Sequence, residues 1–409
     1  MRHSLSDKAS PWTPALLIIL TVASIILSTS MGIRQSLGLF LDPMARGAGI
    51  SVATFGLALA VQNLAWGIGQ PAMGALADKY GGRLVVAVAA ACFAAGLVMM
   101  SWGNTLGLFL GGGLLVGLAV AGTSHGVLVG ILSRIAAPSV RAVAISILAA
   151  AGSIGTFILA PATQQMLNWI DWETTLWVLA LLAAAMAFLA FAFRRNSDKA
   201  SAPGAERPNA VAAIRQALRH PGYVAMTLAF FACGFQLIFI ATHLPKYLSI
   251  CGLAPTVSAN ALALIGVFNA VGTLVVGRLG ERFGNKLILA LIYVFRTVSI
   301  VVFVSLPVSV ESALIFGASM GFLWLSVIPP VSGLLNAMFG PTNFGALFGV
   351  MFLSHQVGAF LGAYLGGLSY QVSGSYLTAW ISLIVVGVLA ALVQLSMDDR
   401  PRTPAAVSG

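Results

Sequence analysis

Twelve times along the chain a run of some twenty or more residues passes with almost no charged side chain: 15–41, 53–77, 82–101, 105–132, 141–166, 174–193, 222–245, 257–279, 286–306, 311–336, 344–368 and 375–397. A segment can cross a hydrocarbon core of about 30 Å only if its backbone N–H and C=O groups are satisfied internally, and an α-helix of about 20 apolar residues does this. The sequence therefore predicts an all-α polytopic membrane protein with twelve transmembrane helices. Only 8% of the 409 residues are charged and 59% are hydrophobic, against about 25% charged in soluble domains. A soluble enzyme, a secreted disulfide scaffold and a disordered chain are excluded as readings of the whole. The first run follows a polar, basic segment (Arg2, Lys8) and exceeds the length of a signal-peptide core, so it reads as a spanning helix.

The formal charge is +10, from 21 Lys and Arg against 11 Asp and Glu, but position rules out nucleic acid as the partner. With the N-terminus in the cytoplasm, seventeen Lys and Arg fall on that side and two, Arg46 and Lys246, on the other, with Arg34 and Arg296 left inside helices. This is the bias of the positive-inside rule, so both termini and the central linker are expected in the cytoplasm. The expected organisation is a tail at 1–14, a six-helix bundle at 15–193, a linker at 194–221, a second six-helix bundle at 222–397 and a tail at 398–409. The three cysteines, Cys92, Cys233 and Cys251, form no CxxC or Cys/His spacing, and no metal or cofactor is expected.

The two bundles repeat one another. GALADKYGGR (74–83) and GRLGERFGNK (277–286) align at a constant shift of 203, which pairs Gly74 with Gly277, Asp78 with Glu281, Gly81 with Gly284 and Arg83 with Lys286. The same shift carries Pro138 onto Pro341 and Gly155 onto Gly358. Parallel six-helix repeats are a known architecture of alternating-access carriers, with a site near the membrane midplane between the halves. The repeated loops are therefore read as gating elements, their glycines permitting tight turns and their charges able to pair and separate.

The segment from Gly74 through Asp78-Lys79-Tyr80-Gly81-Gly82-Arg83 resembles the cytoplasmic signature of the major facilitator superfamily, and 277–286 resembles its degenerate second copy. A narrower resemblance, carried by 32–44, 152–161 and 355–367, is to the bacterial branch of the monocarboxylate and oxalate/formate-type anion porters. It implies transport of a small organic anion, a monocarboxylate, by proton symport or anion exchange, in a bacterial inner membrane. Animal members of that group place an Arg with an Asp in helix 8; here helix 8 has no internal charge and the Arg is Arg296 in helix 9.

Charge within the bundle points the same way. A charged side chain at mid-membrane costs about 2.5–3.5 kcal/mol or more, and the two interior charges are both Arg. An unpaired cation invites an anion, and the guanidinium fork fits a carboxylate with two parallel hydrogen bonds. Arg34 shares a helical face with Ser30 and Gly38; its bland alternatives are snorkelling or a bond to Asp42. Arg296 is a second candidate that alternatively serves packing. Further candidate substrate-binding residues are Asn63, Trp66, His125, Gln236, His243, Asn269, His355 and Gln356, each of which is equally at home in an interhelical hydrogen bond. Pro329-Pro330 is expected to kink or break helix 10. Nucleotide-binding and metalloprotease motifs are missing, so neither ATP-driven transport nor catalysis is expected and a monomer suffices, with membrane lipid around it. The rival function is export of hydrophobic compounds.

Overall fold

The computed structural model describes residues 12–193, 210–340 and 344–399, with the side chains of Asp78, Pro138, Ala142 and Ala210 outside that description. The outer parts of both tails, most of the linker and Pro341 also lie outside the described residues. Among the described residues twelve helices are long and apolar enough to span a membrane: α1 Pro14–Gly47, α2 Val52–Ala77, α3 Gly82–Met100, α4 Thr105–Ile135, α5 Ser139–Trp169, α6 Trp172–Ala192, α7 Pro221–Ile250, α8 Pro255–Phe283, α9 Asn285–Ser305, α10 Val310–Phe339, α11 Phe344–Ser373 and α12 Leu377–Leu395. Local chemistry starts them where expected. Thr13 and Ser51 cap α1 and α2 by accepting from Leu16 N and Thr54 N, and Pro14 stands in the first turn of α1.

The helices form two pseudo-symmetric six-helix bundles. In the first, α1 packs on α5, α2 on α4 and α3 on α6; in the second, α7 packs on α11, α8 on α10 and α9 on α12. Across the boundary the main partners are α2 with α11 and α5 with α8. The shift of 203 holds at the level of atoms. A Cβ on Gly155 would strike the backbone of Ser28, and one on Gly358 the backbone of Phe231, the residue 203 positions on from Ser28. Between membrane helices there is little hydrophobic gain from leaving lipid, so close backbone approach through such glycines supplies the packing.

The repeated loops share a strained backbone. Gly81 has φ 93° and Gly284 φ 91°, a region that residues with a Cβ rarely enter. Each ends one helix and opens the next, α2 to α3 and α8 to α9.

Two spans are not continuous. α10 stops at Leu323 and resumes at Ile328, just before the proline pair, as the sequence predicts. α4 contains a π-helical stretch, Leu108–Leu115, and breaks at Ser124, which is extended (φ −95°, ψ −175°) before His125 restarts the helix. Ser124 lies 203 positions before Val327, so the two breaks are equivalent.

Gly81→Ala and Gly284→Ala are each expected to cost about 1–3 kcal/mol through forced backbone strain. Gly74→Ala, where nothing lies within 4 Å of an added Cβ, should be neutral; thermal unfolding in detergent compares the three.

Candidate functional site

Arg34 sits past the middle of α1, half-buried, where the two bundles meet. Its Nη2 donates to Asn63 Oδ1 at 3.1 Å, and its guanidinium stands 4.8 Å from the centre of the Trp66 ring. Trp66 is held in turn: its Nε1 donates to Gln70 Oε1 at 2.8 Å and Phe352 of the second bundle meets it edge-on. Asn63 is buried and its Nδ2 donates to Leu59 O at 2.7 Å. The space beside Arg34 is about 10 Å³, bounded by Gly38 and Asn63 on one side and Ile238, Ala241 and Thr242 on the other; that admits about one water.

The neighbours of Arg34 on its helix face serve packing. Ser30 pairs with Thr123 across 2.7 Å, and Gly38 lies against the carbonyl of Ala241 in α7. Gln62 donates to Gly112 O inside the first bundle. His125, half-buried, opens the second segment of α4 with its ring near Gly152 of α5, and Ser124 beside it donates to Gln70 Oε1 at 2.9 Å.

On the other side, Gln356 is fully buried in α11 and its Nε2 donates to the carbonyl oxygen of Asn63 at 3.0 Å, across the boundary. His355 Nδ1 lies 3.0 Å from Gln356 Oε1. Asn63 and Trp66 are therefore brought to Arg34, while Gln356 and His355 stand behind Asn63, linked to its backbone carbonyl and not to Arg34 itself. Asn269 supports the break in α10: its Oδ1 accepts from Leu325 N at 2.9 Å while its Nδ2 donates to Ser153 of α5 at 3.0 Å.

Arg296 and Gln236 lie inside the second bundle and are not brought to Arg34. Both are fully buried. Arg296 Nη2 donates to the carbonyls of Leu323 (2.5 Å) and Trp324 (3.0 Å), the frayed end of the first α10 segment. Gln236 Nε2 donates to Leu383 O at 3.0 Å.

His243 lies toward the end of the molecule opposite the termini. Its Nε2 is 2.7 Å from Ala363 O and its Nδ1 3.2 Å from Tyr376 Oη. A carbonyl can only accept, so Nε2 carries the proton and Nδ1 accepts from the tyrosine. Close by, Lys246 of α7 pairs with Asp42 of α1 at 2.5 Å, and its ammonium stands 5.8 Å from the Tyr370 ring centre. This cross-bundle pair is not legible in the sequence, which offers Asp42 only as a partner of Arg34. Ser51 and Gln371 add a second link at the same end, 3.0 Å long.

Gly74, Gly130, Gly345 and Gly349 face open space. Of the loop residues, Arg83 stacks on the Phe191 ring at 4.5 Å, Lys286 reaches Asp399 at 3.9 Å, Glu281 is exposed and Gly277 lies near Pro329. The Asp78 side chain lies outside the described residues. Asp42–Lys246 and Ser51–Gln371 thus tie the two bundles to one another at the far end.

Two pseudo-symmetric bundles, broken helices in equivalent positions and a polar cluster at their boundary are features of a transporter fold built from parallel repeats. The model of the Major Facilitator Superfamily matches residues 18–328 and 261–409, and the chain belongs to that superfamily. It is 28% identical over 408 residues to the MFS-type transporter YtbD of Bacillus subtilis, covering 96% of this chain and 98% of that one. It is 25% identical over 361 residues to monocarboxylate transporter 13 of Bos taurus, covering 86% and 82%. Among solved structures it resembles a mutant of the nucleoside transporter NupG, with a TM-score of 0.78 at 14% identity over 93% of this chain and 99% of that one.

Asp42→Asn or Lys246→Gln should weaken closure of the far end. A cysteine introduced at Thr242, which is 2% exposed, is expected to react faster with an aqueous maleimide in either variant. The charge swap Asp42→Lys with Lys246→Asp should restore slow labelling.

Proposed function

We propose that this transporter is a secondary carrier of a small organic anion, a monocarboxylate, which binds Arg34 while the two bundles rock about it. The observation that carries this reading is a cation at mid-depth on the boundary with no carboxylate partner. Among the described residues neither Arg34 nor Arg296 is paired with Asp or Glu, and Asp42 is taken by Lys246. Arg296 is supplied with helix-end carbonyls, whereas Arg34 has one amide oxygen and an indole face. Desolvated guanidinium binds carboxylate through two charge-assisted hydrogen bonds, and the Asn63 amide oxygen occupies the place one carboxylate oxygen would take. The similarity to monocarboxylate transporter 13 supports the same substrate class.

The cavity of about 10 Å³ must widen to admit even a small acid, which fits a site formed and unmade by the movement of the halves. Taking the Lys- and Arg-rich side as cytoplasmic, the ties Asp42–Lys246 and Ser51–Gln371 lie at the outer end, which supports an inward-facing reading. Coupling is by proton symport or anion exchange.

Purified protein should gain thermal stability from small monocarboxylates and not from their amides. The gain is about 2.7 kcal/mol at a hundredfold excess over Kd. Arg34→Gln should abolish it. Stabilisation by lipophilic compounds alone, equal in Arg34→Gln, would replace this reading with export of hydrophobic compounds.

A further inference from the structure

His243 is fully buried two turns before the end of α7 at Ile250, and both of its ring nitrogens are engaged. Nε2 donates to the Ala363 carbonyl of α11 at 2.7 Å, and Nδ1 accepts from the hydroxyl of Tyr376, the N-cap of α12, 3.2 Å away. The ring also lies on the boundary between the bundles. An added Cβ on Gly56 of α2 would stand 2.6 Å from that same Ala363 oxygen and 3.3 Å from His243 Cε1, and one on Gly367 of α11 would strike the backbone of Val52 and Ala53. The first bundle thus covers the histidine through a contact of backbone on ring and backbone on backbone.

The surrounding groups decide what an added proton would meet. On α7 they are Lys246, Tyr247 and, past the helix end, Cys251; on α11 Tyr364 and Tyr370; on α12 Tyr376; on α1 Asp42 and the exposed Arg46; at the start of α10 the exposed Glu311. α2 carries no titratable side chain from Val52 to Gln62, nor does α9 from Thr297 to Ser305. Tyr370 and Tyr376 stack with ring centres 5.0 Å apart, and the Lys246 ammonium, itself paired with Asp42, stands 5.8 Å from the Tyr370 centre. Of these side-chain types histidine is the one that ordinarily changes charge between pH 5 and 8. A proton added at Nδ1 in this arrangement would reverse the hydrogen bond from Tyr376 and create a buried cation one turn from Lys246, with Asp42 already engaged. Water admitted between α2 and the ring would satisfy the charged form instead.

We propose that His243 is a proton-binding site of the transporter, filled in the arrangement in which the two bundles part at the far end. The step is formation of an N–H bond between a proton from solution and Nδ1. The Tyr376 hydroxyl then accepts from that nitrogen, Nε2 keeps its hydrogen, and the ring gains one positive charge. The arrangement that binds the extra proton is favoured as pH falls, so acid opens the far end. A histidine of ordinary pKa, about 6.5, that takes its proton in the open arrangement alone raises the open-to-closed ratio about tenfold between pH 7.5 and 5.5. Only the parting of the bundles is taken from the reading above; the chemistry of the cargo plays no part.

The test places nitroxide labels on Leu106→Cys of α4 and Val372→Cys of α11, exposed positions at the far end, one on each bundle. The full-length protein carries Cys92→Ser and Cys251→Ser, and Cys233 is buried away from the label. Label-to-label distances from electron paramagnetic resonance give the share of the open arrangement at the two pH values. The expected result is that rise with His243 in place, and none in His243→Gln or His243→Asn, neutral amides that keep a donor for Ala363 or an acceptor for Tyr376. Asp42→Asn is expected to start from a larger open share and to rise with acid all the same. A ratio that does not move with His243 in place, a rise that survives in either His243 variant, or one that is lost in Asp42→Asn overturns the assignment. Small monocarboxylates that stabilise a protein whose distances ignore pH leave the anion reading standing without this one. A rise that needs His243 in a protein that no carboxylate stabilises leaves the proton site standing without the anion reading.

Discussion

In hydrocarbon a backbone group released from its helix has no water to turn to, so each interruption of a spanning helix must be supplied with partners by neighbouring side chains. α10 shows what this requires. Its broken end offers the carbonyls of Leu323 and Trp324, which Arg296 fills, and the N–H of Leu325, which Asn269 fills. The positive guanidinium also opposes the negative end of the half-helix dipole. Asn269 then extends to Ser153 of the other bundle, so the break and the boundary are held by one residue. In α4 the equivalent break is flanked by Ser124, tied through Gln70 to Trp66, the residue that stacks on Arg34. Both interruptions thus lead directly to the boundary where the candidate site lies.

The two interior arginines are distinguished by what surrounds them. Arg296 is enclosed in one bundle and donates to carbonyls of a helix end, whereas Arg34 lies between bundles with an amide and an aromatic face. Arginine retains its charge in nearly any surroundings, and burial therefore selects for a counter-charge. Arg296 is met by fixed backbone carbonyls of its own bundle, whereas the partners of Arg34 lie on the boundary that the second bundle covers. This division explains why a chain with no carboxylate deep in its helices can still hold one buried and one half-buried cation there.

The twelve spans, the shift of 203 and the break before Pro329 are legible because each is written locally, as a run of apolar residues, a repeated loop or a proline pair. The break at Ser124 has no proline; its signal is the small polar run Gly122-Thr123-Ser124 together with the shift that lands on Val327. The placing of Asn63 and Trp66 at Arg34, with Gln356 and His355 behind Asn63, depends on how α1, α2 and α11 are set against one another, which no local pattern encodes. The pair Asp42–Lys246 spans 204 positions and needs the register of α1 against α7. Arg296 is visible as a buried cation, but its partners are backbone carbonyls exposed only because α10 is broken, and carbonyls carry no letter in a sequence.

Within each bundle the helices meet backbone to backbone at glycines such as Gly155 and Gly358, contacts that cannot slide without opening voids in a close-packed interior. Among the described residues the polar links between the bundles include Gln356 to Asn63, Asn269 to Ser153, Ser51 to Gln371, and Asp42 with Lys246. Each such hydrogen bond is worth about 0.5–1.5 kcal/mol net, and a part-buried ion pair is of similar order. The bundles should therefore move as rigid bodies over a boundary that opens at modest cost, comparable to the few kcal/mol that commonly separate two conformations of one protein. A ligand can only shift such an equilibrium by its differential affinity for the two states, and here Gln356 bonds to the backbone of the very residue whose side chain holds Arg34. The two bonds use different atoms, the Asn63 backbone carbonyl for Gln356 and its side-chain oxygen for Arg34, so one residue of α2 links the interior cation of the first bundle to α11 of the second.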